Sequence, residues 1–550
     1  MNDQPRPQYE ATGHGTAGPA LEQVRQAAQA LAKEGRGEEA LDFVLSALAA
    51  VLSKSRELEL QMAKLLRERA GRTSERVDPG QLALLFQELV EQLGPEAGTP
   101  DPEAEARQDR ELEEEIERER SVRRGRKQGG RKGSWRTDPS VQREVHHVEV
   151  AREERTCGRC GGEKVKVGED VSRMLDYVPG HFVERQYRRE KWACGRCKRG
   201  VTVAPAPAKV LGRSPASPSL LAQVVVSKYA DHCPLHRQKG IYERQGASIP
   251  VSTMADWVGG VASLLEPLVD HMLEVMVRDA YVVRTDATSL KALDPGGLGN
   301  IRAGTVWTYV GDDRDVVFRF APTGEGARGP WKVLAGREGY VQADAASVFD
   351  RLYNGQVARA VEVGCWAHGR RRFVALQDTD CRVAYPLKLM GRLYRTETLA
   401  DLKELDSDDR AAFRRERDGP TLESLHAWLV YTAATEPPRS ELAKASGYLL
   451  NQWRALTRFV DDGRLSLDNN LCERQIRDIA LGRKNYLFAG SPQAARHAAI
   501  LYSLLRTCAL HGVAPLPYLT DVLTTLAAGW RQDRLDELLP GLWKLKHAPP

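Results

Sequence analysis

The chain of 550 residues lacks any run approaching the ~18 apolar residues that cross a bilayer, which excludes a helical membrane protein. Its first residues, MNDQPRPQYEATGHGTAGPA, lack the charged-then-apolar pattern of a secretory signal. A cytoplasmic location follows as the expectation. Nine cysteines, an odd number, in a reducing compartment argue against a disulfide framework. A strong net charge is also missing, at +5 overall. That average hides segregation. Residues 101–120 hold ten acidic and four basic side chains, whereas residues 123–136 hold seven basic and no acidic ones. The basic block reads either as an arm that binds a polyanion or as a solvated linker.

The length is too great for one core, so several domains are expected. Residues 1–18 are polar and rich in Gly and Pro and read as disordered. Residues 19–95 read as helical. Within them Val44, Leu48, Val51, Ser55, Leu58, Met62 and Leu65 keep a four-three spacing, the seam of a short coiled coil or of an ordinary amphipathic helix. A charged linker with the basic arm covers 96–140. A zinc-binding domain is expected over 141–210, because Cys157-Gly-Arg-Cys160 and Cys194-Gly-Arg-Cys197 repeat one knuckle. Each places two thiolates on a tight turn, and four thiolates suit tetrahedral zinc in a structural ribbon. Residues 218–270 read as three helices. The second starts at Pro234, and the third follows the cap candidates Ser252 and Thr253. The segment is either a helix-turn-helix or plain three-helix packing.

From Tyr281 the period changes to that of strands. YVVRTD is the first. TVWTYV and DVVFRF flank Gly311-Asp312-Asp313-Arg314 as a hairpin. GYVQAD and ARAVEVGCW follow, each succeeded by a helical stretch. Three antiparallel strands and then alternating helix and strand is the order of a ribonuclease H-like fold, expected over 278–510. A helical insertion at about 380–460 breaks it open, and a helical region closes the chain over 511–550. The fold class is therefore multidomain α/β.

Asp286 and Asp344 each end a strand-like run, and Glu473 lies on the helix after the insertion, with Asp468 or Asn469 as its cap. The separations are 58 and 129 residues. Two strand-end aspartates and a helical glutamate are how a polynucleotidyl transferase holds two divalent metals. Magnesium, or manganese in its place, prefers a few carboxylates and keeps much of its water. Singly, Asp286 and Asp344 can be turn residues, and Glu473 can pair with Arg477. His368 and Arg371 in CWAHGRRRF are candidate phosphate contacts, as are Arg477, Arg483 and Lys484 around the Glu473 helix. So are Arg123, Arg124, Arg126, Lys127, Arg131 and Lys132 of the arm. Tyr486 and Phe488 offer faces for unpaired bases or pack in the core. Cys365 and Cys472 read as small core residues.

SKYADHCPLHRQKGIYERQG, CWAHGRRRF and LSLDNNLCERQIRDIALGRKNYLFAG closely resemble the transposases of the IS66 family of bacterial insertion sequences, and the resemblance covers nearly the whole chain. It implies an Asp-Asp-Glu triad, which falls on Asp286, Asp344 and Glu473. The chain departs from the family at Ala287, where Glu is common, and at Ala345-Ala346, where Gly-Tyr is usual. The expected function is metal-dependent cleavage of element ends and strand transfer into target DNA. The expected partners are double-stranded DNA, a homodimer or higher oligomer, and accessory proteins of the same element, with no membrane. The competing readings are a ribonuclease H-like nuclease or resolvase that cuts without joining, and an inactive DNA-binding relative.

Overall fold

The computed structural model describes residues 102–127 and, with short breaks, 144–547. The expected coiled-coil seam and the rest of the helical stretch 19–95 lie outside them. The described chain divides into two compact units.

The larger unit is built around a five-stranded sheet: β3 (Val282–Leu293), β4 (Ile301–Gly311), β5 (Asp315–Pro322), β6 (Tyr340–Gln342) and β7 (Val361–Val363), in the order β5-β4-β3-β6-β7. A separate two-stranded ribbon, β1 (Lys191–Ala193) and β2 (Val201–Val203), precedes it. The β3, β4 and β5 strands are antiparallel, and β6 and β7 run parallel to β3. Valine, threonine and aromatic side chains make β3–β5 good strands. The hairpin turns where the sequence predicts it. Asp312 and Asp313 both take positive φ there, which Asp tolerates well. The Asp312 carboxylate then accepts from the backbone N–H groups of Tyr281 and Val282, fixing the start of β3.

Three helices lead into the sheet: α2 (Pro218–Tyr229), α3 (Leu235–Arg244) and α4 (Val251–Asp279). Pro234 precedes α3 as expected, but α4 starts at Val251, so Ser252 and Thr253 lie inside it and cap nothing. These helices are not an independent module. Leu221, Val224 and Val225 of α2 and Val261, Leu265 and Met272 of α4 join the strands in one apolar core. Their apolar faces are spent on the core they share with the sheet.

The helices after the insertion complete the core: α12 (Asn470–Tyr486), α13 (Pro492–His511), α14 (Pro515–Ala527) and α15 (Pro540–His547), numbered after α5 (Gly329–Val333), α6 (Asp350–Tyr353), α7 (Trp366–Val374), α8 (Ala384–Lys403), α9 (Ser407–Thr435), α10 (Glu441–Asn451) and α11 (Trp453–Thr457). Ser491 caps α13 by accepting from Ala494 N at 3.0 Å, Pro492 follows at its first position, and Gly512 ends it at φ +62. This helix covers the outer edge of β5 with polar groups as well as apolar ones. Ser503 Oγ accepts from Phe318 N at 2.9 Å, and Thr507 Oγ1 accepts from Val316 N at 3.0 Å. An edge strand left bare would invite pairing with another chain, and these hydroxyls occupy it.

The smaller unit comprises, among described residues, 102–111, 368–396 and 416–451, and is helical. It contains most of the expected insertion. The stretch read as a charged linker forms a regular helix, α1 (Pro102–Lys127). Its acidic residues Glu105, Asp109 and Glu115 are partnered. Asp109 meets Lys388, Arg392 and Arg395 at 3.1, 2.9 and 2.7 Å. Burial raises the Asp109 carboxyl, but the bond to Arg392 and the charges of Arg392, Lys388 and Arg395 outweigh it and hold it below the usual carboxylate range. In the larger unit, Leu112 and Ile116 of α1 bury against Leu399.

Candidate active site

The site is set by register. Along the parallel pair, Val282 faces Tyr340, Val283 faces Val341 and Arg284 faces Gln342. Asp286 and Asp344 each follow that last pair by two residues, so the register carries both aspartates to the same level at the end of the pair. Asp286 is not a strand end, as the sequence suggested: β3 continues to Leu293 because β4 pairs with it throughout. What ends near Asp286 is the parallel half of the sheet. Asp344 does lie past the end of β6, and its Oδ1 accepts from Ala346 N at 3.3 Å. Both aspartates are partly exposed.

Glu473 sits in the first turn of α12 and is also partly exposed. Asp468 makes the local turn that starts this helix, accepting from Asn470 N at 2.9 Å. Asn469 stands at the cap position, but its side chain serves β3 instead. Its Nδ2 donates to Thr285 O at 2.9 Å, next to Asp286, and its N–H points to Cys365 Sγ at 3.3 Å. Cys472 is fully buried, with its thiol over Thr308 O, and Thr308 is the partner of Asp286 on β4. Burial pushes the Cys472 thiol well above its ordinary value, and the negative charges of Asp286 and Glu473 push it further. Two of the three acids therefore lie within electrostatic reach of one buried sulfur. Cys365 and Cys472 are core residues, as expected.

Beneath the acids lies a polar network that sequence reasoning missed. Arg284 shares a face of β3 with Asp286 and is 1% exposed. Its Nε donates to Gln342 Oε1 at 3.0 Å and its Nη2 to Ser466 Oγ at 2.7 Å, and Asp313 pairs with the same guanidinium. Burial lowers its pKa to about 10, still charged at neutral pH. Gln342 Nε2 donates to Gly364 O at 3.0 Å and to Ser466 O at 2.8 Å. The signal in the sequence was an arginine and a glutamine inside otherwise apolar strands.

Among the described residues, no group of three or more His, Cys, Asp or Glu side chains stands close enough to hold a metal ion. The register brings Asp286 and Asp344 to one level, and Asn469, four residues before Glu473, bonds to the residue before Asp286. The chemistry of the three acids suits magnesium, which binds through one or two carboxylates and takes its other ligands from water and phosphates.

The candidate phosphate contacts differ in their surroundings. Arg477 and Lys484 are exposed on α12. The Arg483 guanidinium is committed to Ser289, donating to its carbonyl and, at 3.2 Å, to its hydroxyl. Tyr486 is packed, with its hydroxyl bonded to that of Tyr502 and Lys228 Nζ 4.6 Å from its ring centre. With Lys228, Leu290 and Phe488 it lines a cavity of about 70 Å³. His368 is half-buried and Arg371 exposed, both on α7 in the smaller unit. Arg123 donates to Asp401 O and Leu402 O, both at 3.0 Å, and to Glu404 at 2.8 Å, so it binds the end of α8. Arg124, Arg126 and Lys127 follow on the same helix, and Arg131 and Lys132 lie outside the described residues.

At the first knuckle, Cys157 N donates to Gly162 O at 2.8 Å, and Gly161, at φ +72, returns its N–H to Cys157 O at 2.9 Å. Backbone N–H groups of Arg159 and Cys160, and the Cys160 side chain, lower the Cys157 thiol toward its thiolate. Cys194 and Cys197 lie outside the described residues, in the segment that β1 and β2 flank.

Comparison with known proteins gives the family. Residues 213–497 match the model of the Transposase IS66 family. The chain belongs to that family. Residues 154–198 match the zinc-finger binding domain of transposase IS66, and residues 503–540 match the IS66 C-terminal element. Two relatives are uncharacterized proteins of Sinorhizobium fredii (strain NBRC 101917 / NGR234). One, y4qI, is 36% identical over 423 residues, covering 73% of this chain and 76% of its own. The other, y4hP, is 32% identical over 515 residues, covering 88% of each. As a member of this family the chain has a transposase role and a DNA-binding zinc finger. No described helix is long and apolar enough to cross a membrane.

Proposed function

We propose that this transposase cuts DNA at the ends of its insertion element and joins the freed 3′-hydroxyls to target DNA. Asp286, Asp344 and Glu473 would hold divalent magnesium or manganese on a ribonuclease H-like core. The observation that carries the reading is the parallel β3–β6 register, which brings Asp286 and Asp344 to one level. The β5-β4-β3-β6-β7 order supports the ribonuclease H-like assignment. Bound metal would activate the attacking oxygen and stabilise the leaving one. The chain's own work is to present hard oxygen ligands and to hold the DNA backbone in line. Arg477 and Lys484, exposed on the helix of Glu473, suit the second task. Cys157, Cys160, Cys194 and Cys197 would hold one structural zinc and, with the basic arm, engage the element ends. Holding two ends together calls for a homodimer or larger assembly, in the company of the element's accessory proteins.

The test is an assay of the full chain with magnesium on DNA carrying the ends of the encoding element. The expected products are strands cut to a 3′-hydroxyl and, from pre-cut ends, strands joined to a second duplex. Cutting without joining would turn the reading toward a nuclease. Neither product, from protein that still binds the ends, would turn it toward a binding-only relative.

A further inference from the structure

The three acids come from a strand, a loop after a strand, and a helix separated from both by the insertion. Something must fix the helix to the strands if the carboxylates are to share a metal. We propose that Asn469, together with the Arg284–Gln342 pair, is that device, a set of positioning residues for the acid site. The inference rests on the metal-binding reading of Asp286, Asp344 and Glu473.

Four contacts in the set join segments that carry or adjoin an acid. Asn469 Nδ2 binds Thr285 O, so the residue before Asp286 is tied to the residue before α12. Glu473 is one turn further on, and its own N–H donates to Asn469 O at 3.2 Å. Gln342, two residues before Asp344, accepts from Arg284, two residues before Asp286. The same glutamine reaches across to Ser466 O, and Arg284 reaches Ser466 Oγ, three residues before Asn469. The network thus spans β3, β6, the end of β7 and the approach to α12, all within the larger unit.

Arg284, Gln342 and Asn469 are all 0–1% exposed. Burying them carries a desolvation penalty that apolar residues of similar volume would avoid. Asn469 adds to that penalty, because its Oδ1 is buried and accepts no hydrogen bond from the protein. What such a network offers over apolar packing is direction: hydrogen bonds set angle and register, where dispersion sets only distance. Ligand-orienting contacts of this kind typically change metal affinity 10–100-fold when removed.

The test measures Mn²⁺ binding to the zinc-loaded full chain without DNA, by electron paramagnetic resonance of free Mn²⁺, with melting temperature recorded alongside. Wild type should bind Mn²⁺ at a site that Asp286→Asn removes. Asn469→Ala and Gln342→Leu should each weaken that binding by about 10-fold or more while the protein stays folded. If Asn469→Ala does not fold, Asn469→Ser, which keeps a side-chain donor, carries the measurement. It should fall between wild type and Gln342→Leu. Lower melting temperatures with unchanged Mn²⁺ affinity would show plain structural residues and overturn the proposal. A wild type with no Mn²⁺ site sensitive to Asp286→Asn would instead overturn the metal-binding reading, and the inference with it.

Discussion

Two regions of this chain reach order by different physics. In the sheet region, Val283, Val310, Val316, Val317 and Phe318 are completely buried, and α4 and α13 close over them. Around the cysteine knuckles the apolar side chains face water: Val167 is 96% exposed, Met174 92% and Trp192 71%. The sheet gains stability from area removed from water, at roughly 25 cal/mol per Å². Residues 144–209 have almost no such area among their described positions. Their order must come from elsewhere, and on the proposed reading four thiolates on one zinc ion would supply it. On the proposed function, DNA cutting would then fall to the region with the apolar core, while the finger would depend on zinc for its fold.

The largest expected effect breaks the contrast at its weak side. Structural zinc contributes an apparent ~10–16 kcal/mol to small metal domains. Chelation, or Cys157→Ser, should release amide exchange throughout 144–209 and leave β3–β5 protected. Untreated protein should carry about one zinc per chain. Zinc-free protein with unchanged exchange over 144–209 would end the comparison.

Next comes the acid site, where function should fall without stability. Asp286→Asn, Asp344→Asn and Glu473→Gln should each lower cleavage and joining on the order of 10³-fold or more. Melting temperature and end binding should hold, since the acids are partly exposed and the finger lies elsewhere. A Glu473→Gln protein that cuts normally beside a dead Asp468→Asn protein would move the third ligand to Asp468. Full activity in all three would remove the site.

How much of this was readable follows the same divide. The hairpin was legible because Asp312 and Asp313 are local turn chemistry. The strand order was legible because β-branched runs alternate with helical ones. The extent of β3 was not, since where a strand ends depends on the length of its neighbour, and β4 and β6 differ. Helix α1 reads as a linker in the sequence for a related reason. Its inward positions include Glu105 and Asp109, whose partners, Tyr385, Lys388, Arg392 and Arg395, come some 280 residues later. A helical period carried by charge looks like solvent exposure until those partners are known. Asn469 reads as a cap because local and long-range uses of an amide look alike in sequence.

Stability without function is the complementary prediction. Phe318 is fully buried, and its backbone N–H is bonded to Ser503. Phe318→Ala should cost about 3–5 kcal/mol, seen as a lower urea midpoint for the sheet region. Zinc content should not change. A loss of zinc with Phe318→Ala would mean that the two regions order as one and not by separate physics.

The smallest effect separates residues within one basic block. Arg123 spends its guanidinium on the carbonyls of Asp401 and Leu402 and on Glu404. A cation so engaged is a poor phosphate ligand, because DNA would have to displace bonds already made. Arg124, Arg126, Lys127, Arg131, Lys132 and Arg136 are the remaining cations of the block. Neutralising several of these should weaken binding to any duplex and flatten the salt dependence by about one unit of slope for each phosphate no longer neutralised. Arg123→Gln should leave the slope unchanged and instead cost about 1 kcal/mol or less of stability, the range for an exposed pair and its bonds. A salt slope that falls with Arg123→Gln as it does with the others would show that the whole block binds phosphate and that the α8 contact gives way to DNA. A slope indifferent to every one of these substitutions would leave the block as a solvated linker.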